Sequence, residues 1–251
     1  MRTIKSRPSP LSYERDLLPS VKINQSRYYF LGVQLIKVIS FDLDGTLVSQ
    51  AFANHIWFEG IPRLYAKKHG VSLASAKTIV TSEYEKMGPE RLEWYDIKYW
   101  LKHFSLGRGW RKLFEQYEDK LSTFEEVQEA LQDIQRDYKL AVASTAAREF
   151  LKFALTRTGL KRYFNYSFSS VSDFGKPQKD EQFYRKMLRT LKSQARQVLH
   201  IGDDIIFDFF VPRNLGMRAF LLDRDRIKHG KYVIHDLTSL RDKIKKLRKN
   251  S

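Results

Sequence analysis

The stretch VISFDLDGTLVS, residues 38–49, runs from strand-forming residues into two aspartates, a glycine and a threonine. Side chains alternate between the faces of a strand, so Asp42 and Asp44 point the same way while the strand persists. Two carboxylates held side by side repel each other and resist leaving water. Such a pair is kept where a cation or a proton makes its closeness tolerable. Further groups of this kind follow. Ser144 and Thr145 come after the buried run LAVA. Asp203 and Asp204 come after VLHIG, with Asp208 one turn further, and Lys176 stands in DFGKP. Each has an ordinary alternative: hydroxyls and aspartates cap helices, and a lysine before a proline is usually solvated. It is their joint placement that points to chemistry.

The elements that must position these residues alternate from Ile36 onward. Strand patterns at about 36–42, 140–144, 198–202 and 218–222 are separated by helical patterns. One spans 124–138, with Phe124, Val127, Leu131 and Ile134 at helical spacing; others begin at 147 and span 180–193. Such alternation predicts an α/β fold: a doubly wound, mainly parallel, Rossmann-like sheet with right-handed crossovers. Ligands of open parallel sheets bind beyond the carboxyl ends of the strands, which is where the acids, hydroxyls and lysine fall. Residues 49–121 break the alternation. They read as four helices, at 54–70, 73–88, 89–104 and from Trp110 to about Leu121, and predict an all-helical cap. The expected domains are a core of residues 36–48 and 122–251, the cap at 49–121, and a proline-bearing extension at 1–35, loosely packed or disordered.

Composition narrows the class. With 251 residues, 42% of them hydrophobic, the chain can bury one sizeable core and a smaller domain. It has no cysteine, which excludes disulfides and thiolate-bound metal and makes a cytoplasmic address the expectation. No run of 18 apolar residues predicts a membrane span. The apolar stretch at 28–39 is broken by Gln34 and Lys37 and is not read as a leader. The net charge of +16 raises nucleic acid as a partner. The one dense run, RDKIKKLRKN at 241–250, is more simply a solvated helix end, so nucleic acid is not expected as the main partner.

From residue 36 to about 223 the sequence resembles the haloacid dehalogenase (HAD) superfamily, most of whose members are phosphatases. Four motifs carry the resemblance: DLDGT, ST after a strand, GKP, and GDDIIFD. The resemblance implies that Asp42 takes the phosphoryl group as an aspartyl-phosphate. Asp44 would protonate the leaving oxygen and then activate water. Thr46, Ser144 and Thr145 would contact the phosphoryl group, and Lys176 would hold nucleophile and phosphate together. Asp42, the backbone carbonyl of Asp44 and Asp203 would bind Mg²⁺, with Asp208 supporting the metal. Electrostatics favours such an assignment. A carboxylate about 4 Å from a phosphate dianion is repelled by roughly 8 kcal/mol at an effective dielectric constant near 20. A divalent cation and an ammonium offset most of that. All-oxygen ligands suit Mg²⁺, and no histidine pair at zinc-ligand spacing competes.

Asp44 discriminates further. The dehalogenases that name the group lack an acid there, because a halide leaves without a proton whereas an alkoxide needs one. The expected function is therefore Mg²⁺-dependent hydrolysis of a small phosphorylated metabolite. A phosphomutase on the same scaffold and a basic nucleic-acid-binding protein with a vestigial site are the alternatives. Two departures stand out: Thr145 takes a position where many relatives carry Asn, and Phe183 lies one residue further from Lys176 than expected. The loop between Lys176 and Phe183 is thus expected to differ. In the cap, Arg91, Trp94, Tyr95 and Lys98 lie at helical spacing and could meet an anionic or ring-bearing substrate. The competing reading packs Leu92, Tyr95 and Tyr99 inside the cap, and Trp57 and Phe58 share the ambiguity. His200, in a strand, is expected to be a core residue.

Overall fold

Val38, Ile39, Ser40 and Phe41 are all buried, as a strand covered on both faces must be, and they form β1 (Val38–Phe41). A computed structural model describes residues 36–249, so the expected extension at 1–35 lies outside the described residues. Around β1 stand β2 (Lys139–Ser144), β3 (Tyr166–Ser169), β4 (Val198–Gly202), β5 (Arg218–Leu222) and β6 (Val233–Ile234). Every pairing is parallel, and the order is β3-β2-β1-β4-β5-β6. The chain winds outward from β1 through β2 to β3, then returns to place β4 on the other side of β1. That reversal opens a crevice at the carboxyl end of β1, where a ligand site of this topology belongs.

Between β1 and β2 the chain is helical. A helix runs from α1 (Ala51–His55) through a π turn (Ile56–Gly60) into α2 (Ile61–His69). The wider turn precedes Pro62, whose ring would otherwise crowd the carbonyl four residues back. Then come α3 (Leu73–Met87), α4 (Ile97–His103) and α5 (Trp110–Gln116). Phe52, Ile56, Val80, Tyr84, Trp100 and Phe114 form their common core, with Phe150 of the sheet domain packed among them.

The helix expected over 89–104 is a correction. Residues Leu92–Tyr95 form a short 3₁₀ turn, and Asp96 restarts the chain by accepting the Lys98 amide at 2.8 Å as the N-cap of α4. Arg91, Trp94, Tyr95 and Lys98 therefore do not share a helical face. Arg91 pairs with Glu93 and Lys98 with Glu149. The helix from Trp110 also ends early, giving way to a 3₁₀ turn at Glu118–Lys120.

The remaining helices are α6 (Val127–Ile134), α7 (Arg148–Arg157), α8 (Ser170–Phe174), α9 (Glu181–Leu191), α10 (Val211–Asn214) and α11 (Leu240–Lys249). Ile39 and Phe41 look toward α6, α7 and α11 in one core, while Val38 joins residues of α9 in the other. Side-chain alternation along β1 thus feeds both layers of the doubly wound fold. Among the described residues no helix is long and apolar enough to cross a membrane.

Leu131 of α6 is fully buried in the core that also holds Ile39 and Leu140, and it carries no polar group of the site. Leu131→Ala is expected to lower stability by about 2–5 kcal/mol through lost burial and a residual cavity. Urea denaturation would measure it as a lower midpoint with an unchanged slope.

Candidate active site

The strand ends deliver their polar residues to one place. Where β1 stops, the chain wraps around the Leu43 carbonyl, which accepts from the amides of Leu47 at 2.8 Å and Val48 at 3.0 Å. Leu43 and Leu47 anchor this loop in the core, so the intervening residues face the crevice. Gly45 has φ +80°, and a side chain there would collide with the Asp203 carboxylate. Gly202 plays the matching part on β4, since a Cβ would strike Asp208. Glycine at 45 lets the β1 loop close on Asp203, and glycine at 202 lets the β4 loop fold Asp208 back onto its own strand end.

Asp42, Asp203 and Asp208 bring carboxylate oxygens within 4.8 Å of one another. One ammonium enters this cluster, and it belongs to Lys179. Its Nζ contacts Asp42 and lies 2.5 Å from Asp208, with the whole side chain buried. Lys176, the lysine expected here, pairs instead with Asp180 at 3.3 Å and stays partly exposed. The loop between Gly175 and α9 turns one lysine inward and the other back along the surface. Asp180 fixes that turn: Oδ1 caps α9 by accepting the Phe183 amide at 2.8 Å, while Oδ2 takes Lys176.

Asp208 is held from every side. His200 donates Nε2–H to it at 2.9 Å, and the Asp204 amide donates to its other oxygen at 3.1 Å. His200 in turn accepts from the Ser40 hydroxyl at 2.7 Å, across the β1–β4 pairing that sets Ser40 opposite His200. Burial holds the His200 pKa down, which suits this neutral donor–acceptor role. His200 is thus buried as its strand position requires, and it also orients an acid. Asp204 is the helix cap, accepting from the amides of Ile206 and Phe207, which leaves Asp203 facing the crevice.

The electrostatics follow from this crowding. Burial raises Asp42 well above the ordinary carboxylate range; Lys179 opposes the rise, while Asp208 and Asp203 add to it. Burial and the charge of Asp203 push Asp44, half-buried, up to about 7. Burial, helped by Asp208, takes Asp203 to about 6. Asp208 goes the other way: burial would raise it, but Lys179 and His200 outweigh that and hold it ionised. Among the described residues, these four carboxyl groups gather around the Lys179 ammonium. Thr46 is buried and donates to Asp203 at 3.3 Å. Ser144 ends β2, beside β1, and its hydroxyl accepts the Ala146 amide at 3.0 Å; Thr145 follows it, half-buried.

Sequence reasoning missed Lys179 and also Arg224. From the loop after β5, Arg224 donates Nη2 to the Thr46 carbonyl at 2.6 Å and Nε to the Gly45 carbonyl at 3.2 Å. Its third nitrogen holds Glu126 at 2.8 Å, and its guanidinium lies 3.5 Å from the centre of the Phe124 ring. The long spacing from Lys176 to Phe183 was the available signal for Lys179. Nothing local marked Arg224, whose partners lie about 100 and 180 residues away in sequence.

A family model described as haloacid dehalogenase-like hydrolase matches residues 36–209. The GMP/IMP nucleotidase YrfG of Escherichia coli (strain K12) is 25% identical over 171 residues, covering 68% of this chain and 75% of the nucleotidase. The crystal structure of a HAD phosphatase from Thermococcus onnurineus has a TM-score of 0.71 at 22% identity, covering 82% of this chain and 96% of that one. The HAD-hydrolase YfnB from Bacillus subtilis, bound to magnesium, has a TM-score of 0.60 at 19% identity, covering 84% and 99%. With both structures this chain shares the fold.

Lys179→Met leaves Asp42 and Asp208 buried without their cation, and is expected to cost about 3–5 kcal/mol of folding stability. Lys176→Met, at a partly exposed pair, is expected to cost less than about 1 kcal/mol. Urea titration of the two variants checks the assignment. Equal effects would contradict it.

Proposed function

The chain belongs to the haloacid dehalogenase-like hydrolase family, and from that premise we propose that it hydrolyses a small phosphate monoester through an aspartyl-phosphate. The observation that carries this reading is the convergence of Asp42, Asp203 and Asp208 around a single buried ammonium. An excess of carboxylates in a buried crevice suits a divalent cation and a phosphoryl group bound together.

Mg²⁺ fits the residues present. The donors are hard oxygens, and both oxygens of Asp208 are already engaged by Lys179, His200 and the Asp204 amide. Asp42 and Asp203 would hold the ion, with the Asp44 carbonyl as the third protein ligand the family pattern implies. Asp208 then acts by holding Lys179 rather than by ligating. When bound, Mg²⁺ supplies the positive charge that offsets repulsion between Asp42 and a phosphate dianion.

The chain's own groups have these parts. Asp42 attacks phosphorus, and its carboxylate oxygen gains the phosphoryl group as the ester bond breaks. Asp44 gives its proton to the departing alkoxide, then takes one from the water that attacks the aspartyl-phosphate. Inorganic phosphate leaves and Asp42 is regenerated. Lys179 opposes the burial that raises Asp42 and faces the phosphoryl oxygens in the place first expected for Lys176. Thr46, Ser144 and Thr145 stand at the neighbouring strand ends to contact them. A carbon–halogen substrate would leave Asp44 without a task, because halide departs unprotonated. YrfG acts on nucleoside monophosphates by name, which makes these the first substrates to try. A cytoplasmic address remains our reading of a chain with no cysteine.

Phosphate release from nucleoside monophosphates, sugar phosphates and small carboxylic-acid phosphates tests the proposal. We expect turnover of at least one class, lost on adding EDTA and restored by excess Mg²⁺. Asp42→Asn is expected to reduce release by about a thousandfold or more, as removal of a covalent nucleophile does. Lys179→Met should fall by at least about a hundredfold and Lys176→Met by less than about threefold. Wild-type hydrolysis by Asp42→Asn would mean that another group attacks.

A further inference from the structure

A second polar concentration lies away from the crevice. Between the start of β5, the end of α10, the segment before β6 and the face of α11 is a cavity of about 390 Å³. Five cationic side chains line it: Arg213, Arg218, Lys231, Lys243 and Lys246. No acidic side chain does. In a chain of net charge +16 surface cations are common, so their mere presence decides little. Their pairing decides more. The cleft beside α7 is also rich in cations, but Glu115 and Glu149 line it too, and three of its five cations are paired: Lys98 with Glu149, Arg148 with Asp173, and Arg157 with Glu115 and Glu118. Around the 390 Å³ cavity, Arg213, Lys231, Lys243 and Lys246 make no ion pair with a carboxylate among the described residues.

The cations are also gathered rather than strung out. They come from four separate stretches of chain and converge on one hollow. Tyr232 sits in its wall with the Arg213 guanidinium 4.2 Å from the ring centre and the Lys231 ammonium 5.4 Å from it. A hydrogen bond from Arg213 and the nearby Lys231 charge pull the phenol below its ordinary pKa, a sign of the positive potential there. On α11 the apolar face, Leu240 and Ile244, is buried in the core, which turns Lys243 and Lys246 toward the hollow at three-residue spacing. Two lysines of the run read as a solvated helix end therefore wall a cavity.

We propose that this cavity is a binding site for a compact, multiply charged phosphate compound, such as a nucleoside di- or triphosphate or inorganic tripolyphosphate. Its volume falls within the range of small-ligand sites. Guanidinium and ammonium groups from several directions match clustered phosphates, whereas an extended polyanion would call for a track of cations. The site is separate from the crevice: it opens where β5 begins, and the carboxylates lie where β1 and β4 end. Its occupant would bind without touching Asp42 or Lys179.

The test is calorimetric binding of inorganic tripolyphosphate to the full chain, in EDTA and low salt. The wild type is expected to bind. The variant Lys243→Gln/Lys246→Gln, altered only at the α11 surface, is expected to bind about tenfold or more weakly, as loss of charge-assisted hydrogen bonds implies. The control Lys67→Gln/Lys68→Gln removes the same charge from exposed positions on α2 and should change affinity by less than about twofold. A single-stranded oligonucleotide of equal charge should bind more weakly than tripolyphosphate. No binding by the wild type, equal losses in the two double variants, or tighter binding of the oligonucleotide would each overturn the proposal.

Discussion

Everything at the crevice depends on one buried ammonium lying between two carboxylates. Lys179 touches Asp42, which follows β1, and Asp208, which lies beyond β4, so it spans the two central strands of the sheet. Burying these charges is costly, and the arrangement survives only because each partner is further satisfied. Asp208 has His200 and the Asp204 amide, and His200 has Ser40. The result is a continuous polar chain from the interior of β1 to the mouth of the crevice. It fixes Lys179 so firmly that the lysine has little freedom of its own. Asp42 and Asp203 receive less support, and their raised pKa values record that shortfall.

The glycines and Arg224 set the geometry in which this occurs. Gly45 and Gly202 permit an approach that any side chain would block, while Arg224 pins the Gly45 and Thr46 carbonyls from behind. A guanidinium suits that task because its rigid fork reaches two carbonyls and a carboxylate at once. The loop bearing Asp44 is consequently held by the sheet domain and not by the helices that follow it.

Much of this was legible in the sequence, for identifiable reasons. The central strands β1, β2, β4 and β5 announce themselves because each is a short apolar run bounded by polar residues. The edge strands β3 and β6 do not, being short and only partly covered. Asp42 and Asp203 follow strands directly and Asp208 comes one turn further, so their convergence could be foreseen from topology. Lys179 could not be separated from Lys176 in the same way. Both lie in a loop, where the direction of a side chain depends on the turn, and here Asp180 decides it. The single helix expected over 89–104 failed for a related reason, since Asp96 caps a new helix in the middle of a helical pattern. In both places one aspartate side chain sets the local geometry.

The chain leaves and re-enters the sheet domain through segments that touch. Val48 bridges Thr123, the Ser49 amide donates to the Ser122 carbonyl at 3.0 Å, and the two serine hydroxyls meet at 3.1 Å. Arg224 clasps the same pair of segments just below, through Thr46 on one side and Glu126 on the other. The helical insertion thus leaves and returns through one doubled stalk, and Phe150 in its core and the Lys98–Glu149 pair tie it to α7 as well. A load applied to the insertion is therefore shared between a stapled root and an aromatic seam along α7.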